Sequence, residues 1–226
     1  MSEFSPHVVI PLLIWGTLVG LDLVSVPQAM ISRPLVAGAV AGALAGNLET
    51  GLRIGVLFEL FALDVLPAGA VRYPDYGPAT VSAVALAIGT PWQLGLGIST
   101  ALGLVFAMLG GWSLQVVRRS NARAIQRRAA ALAAGESSAI RWLQYGGILR
   151  DALRGFTLTL AGLVVASTIA ESVRIDRQTG VAFTLVAIGS ALAAAVNGAL
   201  RGSGRGSRLK WLIAGLATGG LIAVLA

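Results

Sequence analysis

The chain has 226 residues, of which 56% are hydrophobic and 12% charged, with a mean hydropathy of +0.80. A soluble domain carries about 25% charged residues, so a water-borne fold is excluded and an apolar solvent, the bilayer, is implied. The net charge of +7 fits cytoplasmic loops better than a nucleic-acid surface, and the lack of cysteine excludes disulfides, thiolate catalysis and cysteine metal sites.

The start, Met1 to Pro6, has neither the basic region nor the small-residue cleavage site of a signal peptide, so the first apolar stretch is expected to be retained. Ser5-Pro6 reads as a helix start, with serine as cap and proline at the first position. Val8 to Val26 is apolar apart from Thr17, Asp22 and Ser25. That suffices for one crossing at ~1.5 Å per residue over a ~30 Å core. Pro27 to Pro34 interrupts it. Leu35 to Gly46 is too short to span alone, and Asn47 to Gly51 is a polar break. Leu52 to Leu66 is apolar again but carries Arg53, Glu59 and Asp64, and Pro67 to Pro78 is dense in turn formers. Non-helical backbone survives at membrane depth only where protein or a water-filled cavity satisfies it. Short apolar pieces between such breaks point to broken or re-entrant helices and to a transporter binding site. Ordinary surface loops are the alternative.

Ala79 to Gly111 is too long for one pass. Gly89-Thr90-Pro91 splits it, with Thr90 as a cap, into two short crossings or a hairpin. Trp112 to Trp142 holds Arg118, Arg119, Arg123, Arg127, Arg128 and Arg141 against Glu136 alone. Its arginines are spread around the helical wheel, which disfavours a membrane-surface helix and favours a solvated one, broken near Gly135 to Ser138. Gly146 to Ala170 and Gly180 to Leu200 each suffice for a crossing. Between them Glu171 to Arg177 is electrically balanced. Arg201, Arg205, Arg208 and Lys210 form a second basic cluster before a last apolar piece, Trp211 to Ala226. Two passes separate the basic stretches, so 113–142 and 201–210 are both expected on the cytoplasmic side of a multi-pass inner-membrane protein. The expected fold is an all-α integral membrane protein in three regions: a membrane half with broken helices (1–112), a basic cytoplasmic stretch (113–142) and a second membrane half (143–226).

The one histidine, His7, precedes the first crossing, so no histidine relay or metal site is expected within the bilayer. No phosphate-binding loop of the ATPase type is present, and no cofactor is implied. What remains are ionisable residues in apolar segments: Asp22, Arg33, Glu49, Arg53, Glu59, Asp64, Arg72 and Asp75. Such residues cost ~2.5–3.5 kcal/mol on insertion scales and usually face a pathway or a partner. Glu49 and Arg53 stand four apart, in the favoured order for a helical ion pair. Glu59 has no opposite charge three or four residues away. An unpaired carboxylate there suits hydroxyl recognition, and a cross-paired structural acid is the other reading.

The runs Ile31-Ser-Arg-Pro-Leu-Val-Ala-Gly38, Gly46-Asn-Leu-Glu-Thr-Gly51, Gly55-Val-Leu-Phe-Glu-Leu-Phe-Ala-Leu63, Pro67-Ala-Gly-Ala70 and Tyr73-Pro-Asp75 resemble the membrane subunit IIC of the mannose/sorbose family of the sugar phosphotransferase system. Order and spacing match from about Pro11 to Thr80, and a weaker match continues from Ile140 to Ala170 around Trp142 and Arg150 to Arg154. The resemblance implies a non-catalytic, sugar-conducting subunit built from repeats with re-entrant hairpins, an inverted repeat among them. It implies a IID membrane partner, cytoplasmic IIA and IIB phosphocarriers, an oligomeric assembly and a hexose-like sugar. Where the family usually has Asp after its glycine, this chain has Asn47, and where it has Gly after the leucine this chain has Asp64. Asn47, Glu59 and Asp75 are the expected sugar contacts. Arg33, Glu49 and Arg53 are expected to hold the broken backbone beside them. The other classes are a non-transporting scaffold of the same family and the substrate-binding membrane subunit of another multi-part importer.

Overall fold

The computed structural model describes residues 4–65, 71–90, 92–201, 210 and 214. Among these all regular structure is helical. Leu66 to Ala70, where turn formers were expected, Pro91, and all of the stretch beyond Arg201 except Lys210 and Ala214 lie outside the described residues.

Helix α1 runs over Pro6–Asp22, with Ser5 at its N-cap and Pro6 at its first position. It stops short of the expected Val26. Two causes are visible. Pro27 offers no N–H to continue a helix. Asp22, only 2% exposed, accepts hydrogen bonds from the backbone N–H groups of Ala29 at 2.6 Å and Ser32 at 2.9 Å. The segment 23–33 therefore follows a non-helical path, with the amides of Ala29 and Ser32 held by Asp22.

Helices α2 (Pro34–Leu44) and α3 (Leu48–Ala62) form a hairpin, each too short to span a bilayer. Asn47 caps α3 by accepting from the Thr50 N–H at 3.0 Å, so the polar break shrinks to Ala45–Asn47 and Glu49 to Gly51 are helical. The turn passes through Gly46 at φ +79°, where glycine carries no steric penalty. The two helices touch backbone to backbone. A Cβ added at Gly51 would lie 2.3 Å from the Gly38 carbonyl oxygen and 2.7 Å from the Gly42 Cα. Small residues allow this approach, which is how helices gain contact where lipid supplies no hydrophobic drive.

Helix α4 (Tyr76–Ile88) is buried without interruption from Gly77 to Ala87. A helix apolar all round belongs in an interior, and α4 packs against α1, α2, α3, α5 and α7. Helix α5 (Trp92–Arg127) folds back along it. Thr90, between the two, donates to the Leu86 carbonyl at 2.8 Å, bonding back to α4. Helix α5 is 36 residues long, about 54 Å, and runs unbroken through residue 112 into the arginine-rich stretch. Short α6 (Ala129–Ala133) ends two residues before Gly135, which turns the chain at φ +75° where the break was expected. Helix α7 (Ser137–Ser172) returns antiparallel to α5 through residues 142 and 143. After a short linker α8 (Arg177–Ala199) begins. Asp176 caps α8, and hydrogen bonds from the Thr179 hydroxyl and N–H hold its carboxyl below the usual carboxylate range.

Helices α5, α7 and α8 are long and apolar enough to cross a membrane, while α1, α2 and α4 are apolar but shorter. The chain is an all-α membrane protein whose short and broken helices are clasped by long ones. The core joins Leu12, Ile54, Phe58 and Val84, with Phe58 against Phe61 and Tyr76 at ring-centroid distances of 6.2 and 6.0 Å.

Candidate functional site

Two irregular segments meet at the base of the α2–α3 hairpin, one before α2 (23–33) and one before α4 (71–75). Residues on α1, α5 and α7 hold both. Glu59, near the end of α3, forms an ion pair with Arg33 and accepts the Leu35 N–H at 3.2 Å. Glu59 is thus cross-paired. Its second oxygen satisfies one of the orphan N–H groups that open α2, where the helix dipole favours a negative charge.

Segment 71–75 is extended and lies on two glycines of α5. A Cβ at Gly111 would sit 2.2 Å from the Tyr73 carbonyl oxygen, and one at Gly110 would sit 2.7 Å from the Asp75 Cβ. The Asp75 N–H donates to the Ala107 carbonyl at 2.9 Å. Arg118 closes over the segment. Its Nη2 donates to the Tyr73 hydroxyl at 2.9 Å, and its guanidinium lies 5.2 Å from the Tyr73 ring centroid. This combines a hydrogen bond with a cation–π contact.

Asp75 is 0% exposed and Arg154 6%. Arg154, on α7, reaches three directions at once. Nη1 donates to Asp75 Oδ2 at 2.6 Å, Nε to Asp151 Oδ1 at 2.7 Å and Nη2 to the Gly20 carbonyl of α1 at 2.8 Å. The Ser25 hydroxyl donates to Asp151 Oδ2 at 2.5 Å. Both irregular segments and α1 are therefore bonded to one turn of α7. The other Asp75 oxygen, Oδ1, is buried and accepts no hydrogen bond among the described residues. Three buried carboxylates, Asp22, Asp75 and Asp151, accompany one buried guanidinium, so this interior carries more negative than positive charge, and Asp75 Oδ1 is its unused acceptor.

Beside the network a crevice is lined by Leu23, Ser32, Arg33, Val65, Tyr73 and Tyr76, among others. It offers two phenol rings and a guanidinium, and Glu59 and Asp75 adjoin its walls through Arg33 and through the neighbours Pro74 and Tyr76. Asn47 does not converge on this place. It is exposed at the hairpin tip, twelve residues or about 18 Å along α3 from Glu59. Glu49 and Arg53 lie near the tip too and form an exposed ion pair at 2.5 Å. Thr50 and Arg53 line a separate, almost wholly apolar cavity of about 240 Å³ with Ala87, Leu96 and Thr184. Asp64 accepts from Asn197 at 2.7 Å and pairs with Arg201 at 2.8 Å, joining α3 to α8.

Asp151 and Arg154 carried no assigned role in the sequence reading, although an Asp and an Arg three apart on a helix of membrane-crossing length are a signal of a buried pair. Asp22 stood among the ionisable residues without its task of ordering segment 23–33.

A family model described as the PTS system sorbose-specific IIC component matches residues 7–200. The mannose-specific EIIC component of Escherichia coli K12 is 28% identical over 141 residues, 62% of this chain and 51% of that protein. The sorbose-specific EIIC component of Lacticaseibacillus casei is 32% identical over 148 residues, 65% of this chain and 52% of that protein. The chain thus spans about half the length of these curated relatives. Among solved structures, one described only as a membrane protein superposes with a TM-score of 0.75 at 20% identity, covering 98% of this chain and 91% of the other. A chain from the complex of the mannose transporter ManYZ with microcin E492 superposes with a TM-score of 0.55 at 20% identity, covering 97% and 92%. These two likenesses are of fold. With the family model spanning most of its length, the chain belongs to the sorbose-type IIC family of membrane components of the phosphotransferase system.

Proposed function

We propose that the chain conducts a hexose-like sugar across the membrane as a IIC-type subunit, together with a IID-like membrane subunit, for phosphorylation by a cytoplasmic IIB protein. In this reading it transfers no phosphate itself, IIA and IIB carry the phosphoryl group, and the arginine-rich ends of α5 and α7 face the cytoplasm. The observation that carries the reading is the excess of buried carboxylates beside two non-helical segments. Ionisable groups within a membrane protein are costly and mark pathways, and broken backbone beside them marks transporter sites. A sugar is a cluster of hydroxyl donors with an apolar ring face. It suits an interior rich in acceptors and a crevice with Tyr73 and Tyr76. Glu59 and Asp75 are the carboxylates assigned to sugar hydroxyls, with Arg33 positioning Glu59. Asn47 serves the same solute at another point of the route, near the hairpin tip.

The test is uptake of radiolabelled mannose, sorbose and glucose by cells expressing the chain with a IID partner. Glu59→Gln keeps the acceptor for the Leu35 N–H but loses the charge facing Arg33. Uptake is expected to fall at least ~tenfold, about 1.4 kcal/mol, with membrane insertion unchanged. Undiminished uptake in this variant removes Glu59 from the site. No uptake of any sugar by the unaltered chain with its partner refutes conduction itself.

A further inference from the structure

A third cavity, of about 360 Å³, lies at the arginine-rich end of the molecule, outside the crevice and away from the hairpin tip. It opens between segment 23–33 and the facing turns of α5 and α7. Ile125, Leu143 and Ile148 supply apolar walls, and Ser25, Asn121, Gln144 and Arg150 supply polar ones. No acidic residue lines it among the described residues.

Two of these polar groups, Arg150 and Asn121, are arranged to donate. Arg150 Nη1 donates to Asn121 Oδ1 at 2.8 Å. That engages one of the five guanidinium N–H donors. It also occupies the oxygen of the Asn121 amide, which leaves both Nδ2 hydrogens to give. Asp151, next to Arg150 in the chain, already has both oxygens engaged, Oδ1 by Arg154 and Oδ2 by Ser25. The wider field has the same sign, with Arg119, Arg123, Arg127, Arg128 and Arg141 against Glu136. A guanidinium fork and a neighbouring amide match the oxygens of a phosphate. Basic pockets between membrane helices at a positively charged end suit anionic head groups.

We propose that this cavity binds a phosphate group, held by Arg150 and Asn121. The same chemistry can arrive on an anionic phospholipid, whose glycerol and acyl carbons suit the Ile125, Leu143 and Ile148 walls, or on a soluble phosphate ester. The inference stands apart from sugar conduction and survives its failure.

Native mass spectrometry of the purified, detergent-solubilised chain tests the lipid source, with phosphatidylglycerol and diacylglycerol, which lacks the phosphate, offered in equal amounts. Thermal stabilisation by inorganic phosphate and by hexose 6-phosphate tests the soluble source. The expected result is about tenfold preference for phosphatidylglycerol, one charge-assisted contact's worth. It should be lost in Arg150→Gln and in Asn121→Leu and kept in Arg141→Gln, which lies outside the cavity. Stabilisation by the phosphates that needs Arg150 or Asn121 supports the same site with a soluble ligand. Two results overturn the proposal: no lipid preference together with no phosphate stabilisation, or a preference that persists in Arg150→Gln and Asn121→Leu alike. Asn121→Leu removes no charge and decides the matter if Arg150→Gln folds poorly.

Discussion

Arg154 meets Asp75, Asp151 and the Gly20 carbonyl through three different nitrogens, which only a planar fork can do. Removing it leaves two carboxylates without their buried countercharge. Arg154→Met is therefore expected to cost ~3–5 kcal/mol, read as a loss of folded protein in thermal unfolding of the detergent-solubilised chain. Arg154→Lys keeps the charge but not the three directions and should recover only part of the loss. Asp75→Asn should cost less than either, because Arg154 retains Asp151. A methionine variant that unfolds at the wild-type temperature contradicts this account of the network. At this scale the sequence was legible in part. Charges set in apolar runs announced Asp22, Glu59 and Asp75 as residues with a task. Their partners were not legible, because Asp75 and Arg154 stand 79 residues apart and only the packing of α4 and α5 against α7 joins them. The Glu59–Arg33 pair, across the hairpin base, was hidden for the same reason.

The α2–α3 hairpin shows what the individual elements contribute. Its contact rests on backbone, so no side chain can move aside to admit a methyl group at Gly51. Gly51→Val is expected to force the helices apart at a cost of ~1–3 kcal/mol, seen as a lower unfolding temperature. Gly189→Ala provides the contrast. A Cβ there meets nothing within 4 Å, and helix propensity favours alanine by ~1 kcal/mol, so its stability should be unchanged or raised. If both variants behave alike, close approach is not what holds the hairpin. Element boundaries were legible wherever local chemistry sets them. Pro6, Pro34, Gly46 and Gly135 all mark ends that the structure keeps. Boundaries set by distant contacts were not. Helix α1 ends where Asp22 captures two amides further along the chain.

At the scale of the whole molecule the charges sort to opposite ends of α7. Gly135 and the exposed arginines around it stand at one end, and the electrically balanced linker Val173–Asp176 stands at the other, 36 helical residues away, about 54 Å. Composition made the bilayer legible, and the asymmetry of arginine gives an expected orientation, because outward translocation of positive charge is disfavoured in short loops. What composition could not convey was depth. The short helices α2, α3 and α4 have no length signal of their own and acquire their place only from the long helices that enclose them. Orientation is open to a direct test, because the chain contains no cysteine and a single introduced thiol is free of background. In cells, a membrane-impermeant maleimide should label Ile175→Cys from outside. Gly135→Cys should be labelled only after the membrane is opened or inverted. Labelling of both from the same side breaks the single crossing assigned to α7. The reverse pattern leaves the crossing intact and moves the arginine-rich end to the exterior, where it could not meet a cytoplasmic phosphocarrier.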